Sequence, residues 1–205
     1  MLHKKGYTAF VLATTVTLAL TFSDLFITFI VTPDLTWEAN PLVSVLGFGW
    51  GALIGVNIKG NIIFACLFYF CFVKYERPDI HANNLREYMS IILYNRPDKF
   101  IWCFYKFPSN KEGWRALAAT TGYLCVFMVN TGRVVFITNW LIIYTNSLHP
   151  WIDGGLRSHW FHYTLGTIPA LALAAIPCVI IGVITIFLWF NAGYKMNKKR
   201  RAESS

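Results

Sequence analysis

The sequence predicts an all-α integral membrane protein: four transmembrane helices in one membrane domain over residues 1–205, with both termini cytoplasmic. Three observations predict it. Hydrophobic residues make up 56% of the chain and charged residues only 14%, and the apolar residues are gathered into runs rather than scattered, unlike an ordinary soluble domain. Four of those runs, 8–32, 50–73, 116–144 and 164–192, reach the roughly 20 residues needed to cross a bilayer core of about 30 Å. The positive charge is distributed unevenly between the connections. Of 18 Lys and Arg, two precede the first run, eight lie between the second and third, and five follow the fourth. The other two connections hold Arg157 alone, while Lys59 and Arg133 fall inside runs. By the positive-inside rule the termini and the central connection face the cytoplasm of an inner or plasma membrane. The net charge of +8 therefore points to topology and not to nucleic acid.

The first run follows Lys4 and Lys5 and resembles a secretory signal in outline. Its length, its Asp24 and the lack of a small-x-small site before Pro33 predict a retained span. The connection after it contains Asn40-Pro41, which can start a short interfacial helix, and Gly47, Gly49 and Gly51, which can end it before a crossing that begins near Trp50.

Residues 74–115 are basic and aromatic, with two apolar pieces too short to span. They are expected to lie at the cytoplasmic interface, on membrane lipids or against a protein partner. The connection 145–163 carries three of the five histidines. Ser158 can cap the last helix and place His159 and His162 in its first turn, and Pro169 and Pro177 should bend that helix. The five cysteines fall in spans or in the central connection, so no disulfide framework is implied.

Charged residues inside spans usually face a protein interior or a wet cavity. At about 1.5 Å per residue, Asp24, Lys59 and Arg133 lie roughly 12, 14 and 16 Å below the outer ends of their spans, in one layer. Asp24 with Thr28, Asn57 with Asn61, and Asn130 with Arg133 are pairs at i,i+4 or i,i+3 spacing that turn polar groups inward. Lys59 points roughly opposite to the two Asn. Two cations against one anion leave a cation in need of an acceptor, which predicts an outward-opening polar pocket for an anionic or amphiphilic, lipid-like ligand. Lys59, Arg133, Asn40 and Thr28 are its expected ligand-binding residues, with Asp24 or Glu38 as general base if the protein is a surface hydrolase or transferase.

A divalent metal could be held at the outer face by His159 and His162, although the spacing is not that of a zincin. Cys125 is a weaker nucleophile candidate, since no Gly-x-Ser-x-Gly elbow exists and a lone buried Cys is usually packing. The alternative to a pocket is a structural or accessory subunit of a larger complex, in which the buried charges serve helix packing and the cytoplasmic segment docks the partner.

The order Asp24-x3-Thr28, Glu38-x-Asn40-Pro41, then Lys59 resembles the signature of a family of small, uncharacterised prokaryotic polytopic membrane proteins. The match covers about the first 60 residues. It implies that Asp24, Thr28, Glu38, Asn40 and Lys59 act together, and it supplies no activity.

Overall fold

A computed structural model describes residues 2–35, 38, 43, 45–148 and 168–204. Every regular element among them is helical. Helix α1 is Leu2–Val31, α2 is Trp50–Tyr69, the short α3 is Leu85–Tyr94, α4 is Lys111–Leu148 and α5 is Ile168–Ser204. A π-helical turn, Phe70–Lys74, continues α2, and the helical stretches Gly6–Val31, Trp50–Lys74, Lys111–Leu141 and Ala175–Glu203 are long and apolar enough to cross a membrane. The fourth predicted span reached only residue 192, whereas α5 carries its Lys- and Arg-rich end as helix to Ser204. Basic side chains in a last turn complement the helix dipole, which favours that extension.

The chain forms two compact units. The first joins residues 1–12, 64–126 and 181–205. Its core is aromatic and aliphatic: Ile80, Tyr88, Met89, Ile92, Leu93, Tyr94, Trp189 and Phe190 are buried together with Ala116 and Ala119. Helix α3 builds much of that core, because its apolar residues fall on one stripe and its ends are capped. The Asn84 side chain accepts from the Glu87 N–H at 2.9 Å, and the Glu87 carboxylate accepts from the Asn83 N–H at 2.8 Å. Asn95 closes the helix in the left-handed conformation (φ 56°), a C-terminal role that Asn tolerates. The stripe is therefore buried within the chain, and the exposed apolar residues of this region are Ile101, Tyr105, Phe107 and Trp114.

The end of α5 fastens residues 80–83. Tyr194 Oη donates to the Asn83 carbonyl at 2.8 Å, Asn197 Nδ2 donates to the Ile80 carbonyl, and Arg201 donates to the Ala82 carbonyl at 3.0 Å. Arg77 lies over the Trp189 ring, 4.2 Å from its centroid. Gly193 makes room for it, since a Cβ there would stand 2.4 Å from Arg77 Nη1 and 2.6 Å from Tyr88 Oη.

The second unit joins residues 13–63 and 127–180. Its buried side chains are of another kind: Ala13, Thr17, Thr21, Thr28, Thr32, Leu35, Leu53, Asn139 and Trp140. The α1–α2 turn is held by Trp50, whose indole N–H donates to the Pro33 carbonyl at 2.7 Å while its ring meets Phe29 edge-on.

Candidate functional site

The polar layer of the second unit grows out of the spacing of polar residues on α1. Thr17, Thr21, Asp24, Thr28 and Thr32 recur every three or four residues and so share one helical face. Each buried hydroxyl needs a partner. Thr17 donates to the Ala13 carbonyl at 2.9 Å, Thr21 to the Thr17 carbonyl at 2.8 Å, and Thr28 to the Asp24 carbonyl at 2.7 Å. These bonds to the preceding turn let a polar stripe exist inside an apolar helix.

On α2 the partners are Asn57 and Asn61. Asn57 Nδ2 donates to the Leu53 carbonyl at 2.9 Å and Asn61 Nδ2 to the Asn57 carbonyl at 2.8 Å, which turns both Oδ1 atoms outward as acceptors. Asn61 Oδ1 lies 3.2 Å from the Thr21 hydroxyl. Asn57 Oδ1 accepts from Arg133 Nη2, and Arg133 Nη1 pairs with the Asp24 carboxylate. The Asp24 and Arg133 side chains are only 13% and 19% exposed. One guanidinium thus ties three helices, and both of its terminal nitrogens are engaged within the chain. The fork geometry of Arg suits this role better than a lysine ammonium would.

Of the residues expected at a pocket, Asp24, Thr28 and Arg133 come together, with Thr28 buried beneath the Asp24 turn. Lys59 does not join them. It is exposed on α2, on a face other than that of Asn57 and Asn61, and makes no ion pair or hydrogen bond among the described residues. Helical geometry explains the separation: two residues' advance rotates about 200°, so Lys59 faces away when Asn57 faces Arg133 and Asn61 faces Thr21. The cation that receives Asp24 is Arg133, leaving Lys59 without a carboxylate partner among the described residues. Glu38 is half-buried in the α1–α2 connection, its N–H donating to the Leu35 carbonyl at 3.1 Å. Asn40, His159 and His162 lie outside the described residues, as does the expected Ser158 cap. Among the described residues no three metal-ligating side chains gather.

The spacing of Asn57 and Asn61 predicts an inward pair, and the structure gives their partners as Arg133 and Thr21. Thr17 and Thr21 are not among the predicted site residues, although their three- and four-residue spacing from Asp24 marks the same face. Among the described residues α4 carries buried acceptors without a partner, the first being Asn130 Oδ1, one turn from Arg133. Asn139 Oδ1, farther along α4, is also buried without one. No family model, no curated protein and no solved structure matches the chain.

Proposed function

We propose that this chain is a non-catalytic subunit of a larger membrane assembly, oriented with both termini and residues 74–115 on the cytoplasmic side. The observation that carries the reading is the state of the three intramembrane charges. Asp24 and Arg133 satisfy one another, with Asn57 as the second acceptor, so the pair acts as an internal bolt and presents no free guanidinium to a substrate. Lys59 is left exposed on a spanning helix. A lysine at the centre of such a helix costs roughly 2.5–3.5 kcal/mol on insertion scales, a burden that a protein neighbour relieves. Gentle extraction from the native membrane followed by native mass spectrometry tests the reading. A stoichiometric protein partner bound to the 23.4 kDa chain is the expected result; a chain that never carries a second protein contradicts it.

A second reading has one observation in its favour. The unpartnered Asn130 Oδ1, one turn from Arg133, suits a donor group of a bound polar or amphiphilic molecule. In that case the same spectra show a specific small mass, lost on Asn130→Leu in a chain that still folds.

A further inference from the structure

Lys59 does not stand alone on its face of α2. Gly51, Gly55 and Lys59 follow at four-residue intervals, with Ala52 beside them, so small side chains lead directly to the ammonium along one side of the helix. The space over the glycines is open: a Cβ built on Gly51 or Gly55 meets nothing within 4 Å. Val56, at the edge of this face, is also exposed at 46%. Small residues four apart on an apolar helix let a second helix approach closely, because packing rather than hydrophobic burial drives association inside a bilayer.

The charge identifies the occupant. Lys59 has no acceptor among the described residues, and an ammonium held in the apolar layer takes a carboxylate partner. A second copy of this chain cannot supply one. Nine of its ten acidic residues lie in connections, in the short α3 or at helix ends, and the tenth, Asp24, is bound by Arg133. Two copies paired through this face would also bring like charges together.

We infer that the Gly51–Gly55–Lys59 face of α2 docks a transmembrane helix of a different protein, one carrying an Asp or Glu at the depth of Lys59, about 14 Å below the level of Trp50. The inference rests on the subunit reading and deepens it by naming the face and the partner's chemistry. Close approach over the glycines excludes lipid from around the ion pair, and the pair fixes the depth and rotation of the incoming helix.

The test uses the full chain, donor-labelled at its C-terminus, in phosphatidylcholine vesicles. The probes are two acceptor-labelled synthetic Leu/Ala helices of about 24 residues with a glycine pair four apart. One has Asp about 14 Å below its outer end, and the other has Leu there. Energy transfer should show the Asp helix associating at least tenfold more strongly than the Leu helix. Lys59→Leu should abolish that preference, and Gly55→Leu should weaken binding of both helices. Equal association of the Asp and Leu helices with the wild-type chain overturns the inference.

A second arm separates this failure from failure of the subunit reading. A photo-cross-linking residue is placed at Val56 or, as a control on another helix, at the exposed Phe187, and irradiated in the native membrane. Protein adducts at Val56 that vanish with Lys59→Leu support the docking face. Adducts at Phe187 alone leave the chain a subunit and overturn the α2 face. Absence of protein adducts at both positions overturns both.

Discussion

The two units solve the same problem, holding helices together, with opposite chemistry. In the first, large rings and aliphatic side chains fill the space between helices: Tyr88 and Phe68 are fully buried, and Trp189 and Phe190 nearly so. In the second, the buried set is dominated by threonines, and a guanidinium reaches from α4 to Asp24 and Asn57. The contrast teaches where energy and specificity reside. Aromatic burial tolerates many arrangements of similar volume, whereas an ion pair with fixed acceptors specifies one rotation of each helix. The second unit is therefore the one in which a single side chain decides the packing.

Arg133→Leu strands the Asp24 carboxylate in a low-dielectric layer and should cost about 3–5 kcal/mol, as removal of one member of a buried pair does. Hydrogen exchange should show the loss in residues 13–63 and 127–148. Trp189→Ala removes the ring under Arg77 and a central piece of the aromatic core, for an expected loss of about 3 kcal/mol or somewhat more, read in residues 64–126. Asn84→Ala removes the cap of α3 and should cost about 1 kcal/mol, with faster exchange at the Glu87 amide.

Thr21→Val probes one interhelical contact, to Asn61, and should cost about 0.6 kcal/mol in a denaturation series. If Thr21→Val matched Arg133→Leu, the stripe of hydroxyls and not the bolt would hold the second unit.

Proton linkage adds a check on the first unit. Burial raises the Tyr88 phenol above its ordinary value of 10.0, with Arg77 and then Arg200 opposing the shift. The neutral phenol is the form the fold prefers. Tyr88 thus leaves stability unchanged below about pH 10 and lowers it as pH rises beyond. Tyrosinate absorbance and near-ultraviolet circular dichroism should change together in that alkaline range.

Much of the fold was legible because apolar length is a direct physical signal: among the described residues, each of the four helices long and apolar enough to cross a membrane overlaps one of the four hydrophobic runs. That Asp24 and Arg133 stand at one level of the bundle was legible too, from counting residues at a fixed rise, and the two side chains pair. Which of two cations would receive Asp24 was open to the sequence, since both lay in one layer and each could be drawn toward a pocket. Rotation of α2 decides it, and rotation follows from packing of Leu53, Asn57 and Asn61, which no linear count of hydrophobicity reveals. The burial of α3 was hidden for a related reason. A ten-residue amphipathic helix looks the same in sequence whether its apolar stripe meets a membrane surface or the side chains of α4 and α5.

The most direct test of the internal bolt is a double-mutant cycle on Asp24 and Arg133, using Leu at each, with stability followed by reversible unfolding in mixed micelles. The account predicts that each single variant is destabilised by about 3 kcal/mol or more and that the double variant recovers at least about 2 kcal/mol of the summed loss, because neither charge is then stranded. Strictly additive losses, with the double variant the least stable of the three, would contradict it.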